Sequence, residues 1–332
     1  MFNPVRRITF ILAGCALVTV GAMTPSADAA APAQSTNSAA LALSCNRSCL
    51  YGVLDQYLAA LAKRDIALVP WAPEVRNSEN NVMLPVGDGL WGTLTKLGSY
   101  QLKMADPDTG EVGYFGAVDE NGAVSPFALR LKVAQKQVVE VETLVRRKAD
   151  EANYMADPEF IDKPIFNEVI PVASRLPRER LISIADGYFD TLQLNDGTLF
   201  TQFDEKCDRT ENGFRTTNNP DAAKISPIMT LGCEAQFKTG NFRYDDRLRA
   251  RRFPLVDVER GLVLASGFID HAGRLGDYTL ANGEKATSRY RRPHSYYLLE
   301  LFKITPQGRI RQVEAVFMTV PYRMASPWMM EN

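Results

Sequence analysis

The stretch 188–213, YFDTLQLNDGTLFTQFDEKCDRTENG, decides the fold, because the chain has already run through its pattern once. At 57–81 it reads YLAALAKRDIALVPWAPEVRNSENN. Tyr57 and Asp65 stand eight residues apart, as do Tyr188 and Asp196, and each passage closes on Glu-Asn: Glu79-Asn80 and Glu211-Asn212. Each passage opens on a helix pattern. Leu50, Leu54, Tyr57 and Leu61 share one helical face, and so do Leu181, Ile184, Tyr188 and Leu192. Each half then ends in a pair of apolar runs with a glutamate, LRLKV and VVEVETLV (Glu142), LELFKI and IRQVEAVF (Glu314). A period this long means two copies of one unit; solenoid repeats are shorter.

A chain of 332 residues accommodates two units of ordinary size. Its 45% apolar and 23% charged content fits a globular protein, and a net charge of −1 argues against a nucleic-acid partner. Two small basic clusters, Arg249/Arg251/Arg252 and Arg289/Arg291/Arg292, read as solvated faces. Residues 1–29 read as an export signal: Arg6 and Arg7, an apolar run from Ile8 to Met23, and a small-residue cleavage site ending at Ala29. The expected location is periplasmic or secreted. The stretch Leu12–Cys15 leaves a lipoprotein anchored at Cys15 as the alternative. No later stretch is long and apolar enough to span a membrane. Cys45, Cys49, Cys207 and Cys233 remain after the signal. An even number in an exported chain argues for disulfides, and of the three pairings the local one, Cys45–Cys49 with Cys207–Cys233, keeps each bridge within one copy. With only two histidines in the chain, zinc spacing is poor and no metal is expected.

Residues 30–44, rich in Ala, Ser and Pro, read as a mobile lead-in. The first copy spans 45–148, a proline-bearing connector 149–177, and the second copy 178–325. Phe127, Leu129, Leu131 and Val133 alternate with polar or small neighbours, which is strand periodicity, and Val139–Arg146 is the partner strand. Strands are also expected near 253–258 and 262–269, with a hairpin over 295–319. A helix first, then a mostly antiparallel sheet, is an α+β layout.

This order, with the Tyr-Asp stretches, the two Glu-Asn pairs and the closing strands with Glu142 and Glu314, resembles the NTF2-like superfamily (SnoaL-like, ketosteroid-isomerase-like). GDGLW (87–91) and HSYYLLELFKI (294–304) are similar to a secreted tandem-domain group within it whose function is unsettled. The resemblance implies two tandem cone-shaped α+β barrel domains joined as an intramolecular pseudo-dimer, each with a pocket between helix and sheet. It implies a monomer or a homodimer, a small-molecule ligand and no cofactor. The family includes isomerases, dehydratases, cyclases, hydrolases and plain binding modules, so fold leaves the reaction open.

Aligning the two hairpins through Leu129/Leu299 and Leu131/Leu301 sets Arg130 opposite Glu142, an ion pair, and Glu300 opposite Glu314, two carboxylates. Paired carboxylates raise one pKa, as acid–base chemistry requires. Alternation puts His294, Tyr296, Leu298 and Glu300 on one face, joined by Gln312 and Glu314; Tyr297, Leu299, Leu301, Val313, Ala315 and Phe317 form the opposite, core face. The catalytic candidates are therefore Glu211, Glu300, Glu314, His294 and Tyr188, the tyrosine as an oxyanion donor like that of ketosteroid isomerases. Tyr296, Asn212, Tyr57, Glu79, Asn80, Asp88, Trp91 and Arg130 are substrate-binding candidates. The plainer readings are core tyrosines, turn-forming Glu-Asn pairs and a packed Trp91. His271, beside Asp270, reads as an exposed turn residue. Phosphate-loop, GxSxG and HExxH motifs do not occur. Two functions follow: an exported acid–base isomerase, lyase or hydrolase acting on a small, largely apolar substrate, with the second copy as the active half, or a non-catalytic binding or scaffold protein.

Overall fold

The computed structural model describes residues 45–150 and 156–329. The expected signal, lead-in and Cys15 lie outside them. In the first half, Asn46 caps α1 (Arg47–Lys63): its side chain accepts the Cys49 amide, and Arg64 in the left-handed region ends the helix. There follow β1 (Trp71–Glu79), β2 (Val82–Met83), a one-turn α2 (Leu90–Thr93), β3 (Lys96–Asp106), β4 (Glu111–Glu120), β5 (Ala123–Ala134) and β6 (Gln137–Val145). The second half repeats the plan: α3 (Arg178–Leu194), β7 (Phe203–Glu211), β8 (Phe214–Arg215), a short α4 (Cys233–Lys238), β9 (Arg247–Asp257) and β10 (Leu262–His271). A small ribbon of β11 (Asp277–Thr279) and β12 (Lys285–Thr287) precedes the final hairpin, β13 (His294–Ile304) and β14 (Ile310–Val320).

The result is a mixed α+β architecture with two six-stranded sheets of the same order, β2-β1-β6-β5-β4-β3 and β8-β7-β14-β13-β10-β9. In each, the first strand of the half runs parallel to the last (β1 with β6, β7 with β14), and the remaining neighbours are antiparallel. One face of each sheet packs its helix: Leu50, Leu54, Tyr57 and Leu61 on the first, Leu181, Ile184, Tyr188 and Leu192 on the second. The other faces pack on one another through Leu102, Met104, Phe115 and Leu144 against Leu255, Leu264, Tyr297 and Leu299. The layers are therefore helix, sheet, sheet, helix. The disulfides are Cys45–Cys49 and Cys207–Cys233, the local pairing; the second ties β7 to α4.

The final hairpin corrects the expected register. Ile304 pairs with Ile310, but Lys303 pairs with Gln312, so Arg311 is an extra, bulged residue. Past it Leu301 opposes Glu314 and Glu300 opposes Ala315, so Glu300 and Glu314 are not a pair and point to opposite faces. Gln312 and Glu314 do not join His294 and Tyr296, while Val313 and Phe317 move from the expected core face to the helix-bearing side. In the first hairpin Val133 pairs with Val138 and Lys132 with Glu140, so Val139 bulges at the matching place, and Arg130 does oppose Glu142.

Candidate active site in the second half

Between α3 and the second sheet lies a cavity of about 110 Å3, lined among others by Tyr188, Arg209, Glu211, His271, Tyr296 and Glu300. Sheet registry shows how the second half makes room for it. Reading across the strands, Glu79 pairs with Thr143, Thr143 with Leu129 and Leu129 with Tyr114. The matching row is Glu211, Ala315, Glu300 and Ala265. Two bulky side chains have become alanines and a leucine has become an acid. In the first half Tyr57 packs edge-on against Trp71 and Trp91, at centroid distances of 5.9 and 5.4 Å, where the second half has its cavity.

Glu300 is buried, and its carboxyl accepts the Tyr188 hydroxyl. Burial pushes its pKa up to about 8; Arg209 and Tyr188 oppose the rise and the Glu211 charge adds to it. Tyr188 is pushed well above its ordinary range by burial. Arg209 is fully enclosed: it donates to Glu211 and, at 3.0 Å, to Gln236 of α4, and its guanidinium lies over the Phe237 ring. Arg209 and Glu211 are two apart on β7, so period-two alternation brings both to the cavity side.

The opposite wall carries both histidines of the chain. His271 and His294 face each other across β10 and β13, with rings parallel and centroids 4.5 Å apart. His271 is 1% exposed, not an exposed turn residue as the sequence suggested; its place on β10 buries it. Its Nε2 lies 2.7 Å from Asp245 Oδ1, while its Nδ1 has no hydrogen-bond partner among the described residues. Burial raises the Asp245 carboxyl pKa, against the pull of His271. In the tautomer whose Nε2–H donates to Asp245, Nδ1 is an acceptor. His294 Nδ1 is 2.9 Å from the Arg292 carbonyl, and burial lowers the His294 pKa. Tyr244, Tyr290 and Tyr296 pack around His271 at 4.8–5.9 Å.

Of the sequence candidates, Glu211, Glu300, Tyr188 and Tyr296 line this cavity, and His294 stacks on its wall. Glu314 is on the other face of the sheet, where it accepts the Tyr100 hydroxyl at 2.7 Å and Lys163 at 3.0 Å. Asn212 and Asn80 hold left-handed turns, and their side chains bond the backbone of Phe317 and Val145. Glu79 accepts the Leu90 amide and Arg147. That contact needs Gly89: at φ 66°, a Cβ there would collide with the Glu79 carboxylate. Asp88 lies exposed on the same loop, Trp91 is buried, and Arg130 is bonded to Glu111, Glu140 and Glu142 on the inter-sheet side. Asp245 and His271 were missed. Asp245 sits between α4 and β9 in a stretch without periodicity; the signal for His271 was that it stands in line with the only other histidine across adjacent strands.

A family model described as a domain of unknown function (DUF8021) matches residues 174–317. No curated protein matches the chain. Similar solved structures include a candidate polyketide cyclase from Xanthomonas campestris pv. campestris, at 18% identity over 30% of this chain and 91% of that one, TM-score 0.24. AclR, a candidate hydroxylase from Streptomyces galilaeus, is 14% identical over 30% and 81%, TM-score 0.26. A protein of unknown function with a cystatin-like fold from Methylobium petroleophilum PM1 is 15% identical over 36% and 85%, TM-score 0.28.

Proposed function

We propose that the second half is the active half of an acid–base enzyme that moves protons on a small molecule with its own side chains, in an isomerisation or elimination. The observation that carries the reading is the convergence of the His271–Asp245 pair and the buried Glu300 carboxyl on one cavity. His271 Nδ1 takes a proton from a carbon beside a carbonyl, and Asp245 stabilises the imidazolium that forms. Glu300 donates to the oxygen on which charge develops, supported by Tyr188 and by the fixed charge of Arg209. The first half, its interior filled by Trp71 and Trp91, serves as the structural partner. In this reading residues 45–148 and 178–325 are two NTF2-like units joined by 149–177. Two disulfides fit an oxidising, non-cytoplasmic setting, and among the described residues no helix is long and apolar enough to cross a membrane. The signal-like start supports export in the same reading.

The test is deuterium uptake from D2O into a panel of small ketones and hydroxyketones, followed by NMR. The expected result is uptake that falls by roughly 10²–10⁴ in His271→Gln and in Glu300→Gln, with the circular dichroism spectrum unchanged. Equal uptake in the wild type and both variants contradicts the reading. The aromatic walls around His271 favour a second, non-catalytic ligand-binding reading, in which His271→Gln leaves ligand affinity intact and no uptake is seen.

A further inference from the structure

We propose that the cleft sharing a wall with this cavity is an anion subsite, which receives a carboxylate or phosphate carried by the ligand. The proposal rests on the reading of the inner cavity as the reacting site. The cleft, of about 640 Å3, is lined by Arg289, Arg291, Arg292 and His294 on one side and residues 319–321 on the other. Tyr290 lines both spaces, and its ring lies 4.8 Å from His271 and 5.4 Å from His294, so cleft and cavity share a wall.

Three features point to a negatively charged occupant. First, all three guanidiniums are exposed, and none forms an ion pair among the described residues. By contrast Arg247, Arg249, Arg251 and Arg252 of β9 each have a carboxylate partner, so the loop before β13 carries three positive charges that β9 does not leave open. Second, the cluster is held in place: Arg292 offers its carbonyl to His294, and Arg291 donates to the Leu275 carbonyl. Third, the inner cavity of about 110 Å3 has room for about four waters at the roughly 30 Å3 each fills in the liquid. A ligand larger than that leaves its remainder in the cleft, where planar guanidinium forks match carboxylate and phosphate oxygens. The substrate class is then a small organic anion, with its reacting carbon inside and its charged end outside.

The test titrates benzoate, phenyl phosphate and the neutral benzamide into the intact protein by calorimetry at low and high salt. The expected result is that one or both anions bind at least about tenfold tighter than benzamide and lose affinity as salt screens the arginines. The Arg289→Gln/Arg292→Gln variant should lose about tenfold for the anion, the sum expected of two solvent-exposed ion pairs. The tighter of the two anions identifies the group. Equal binding of benzamide, no anion binding, or unchanged affinity in the variant overturns the proposal. His271→Gln separates it from the catalytic reading: proton exchange disappears while anion affinity stays, so the two fail independently.

Discussion

At neutral pH Glu300 keeps a proton that an ordinary glutamate has lost, because burial penalises its anion more than Arg209 and Tyr188 favour it. This has a consequence for stability. Its folded pKa of about 8 stands above the ordinary 4.5, so the folded chain binds a proton that the unfolded chain releases. The contribution of Glu300 is fully present below pH 4.5 and is lost as pH rises toward 8. Urea denaturation across that window should show the wild type losing a few kcal/mol relative to Glu300→Gln, at up to about 1.4 kcal/mol per pH unit. Parallel curves would place the carboxylate in water. At Asp245 the effect is on tautomer as well as on the charge that steadies the imidazolium. Asp245→Asn replaces the carboxylate with an amide whose NH2 can donate to Nε2 and favour the other tautomer, so proton exchange should fall by roughly 10²–10⁴ with the fold intact; unchanged exchange would make Asp245 a bystander.

The elements show what was legible in the sequence. The helices and hairpin strands were, because Leu181/Ile184/Tyr188/Leu192 and Leu129/Leu131/Val133 carry their periods openly. So were both disulfides, because local bridges fit repeated units. The bulge at Arg311 was not: nothing in IRQVEAVF marks an extra residue, and one such residue sends Glu314 to the other side of the sheet. The departure of the second hairpin from the first is real, but it lies at Glu300 in place of Leu129 and not in a carboxylate pair. Restoring the first half's row makes the point testable. Ala265→Tyr with Glu300→Leu should close the cavity, abolish proton exchange and stabilise the chain by about 1–3 kcal/mol, because a buried ionisable group is replaced by apolar packing. A destabilised double variant in urea would mean the two rows are not equivalent in packing.

At the scale of the molecule, the halves are joined by apolar packing and by two buried glutamates at matched strand positions. Glu142 accepts Arg130 at 2.7 Å, the Tyr297 hydroxyl at 2.5 Å and Arg252; Glu314 accepts Tyr100 and Lys163. Burial alone would raise the Glu142 carboxyl, but Arg130 and Arg252 hold it below its ordinary value. Glu142→Leu leaves two guanidiniums without this partner and should cost about 3–5 kcal/mol in urea denaturation; a change under about 1 kcal/mol would mean that the apolar contacts alone join the sheets. The disulfides differ in weight. Cys207–Cys233 closes a loop of sequence separation 26 and Cys45–Cys49 one of 4, so removing the first should cost about 3–4 kcal/mol and the second about 2. The longer bridge also ties β7, which carries Arg209 and Glu211, to α4, which carries Gln236. Its loss should therefore weaken ligand binding as well as stability.

The most direct test of the account is the titration of Glu300 itself, read from the side-chain carboxyl carbon by 13C NMR, with Glu300→Gln as the assignment. A transition near pH 8 is expected in the wild type and missing from the variant. A transition in the ordinary carboxylate range would contradict it, because no protonated acid would then face His271 at neutral pH.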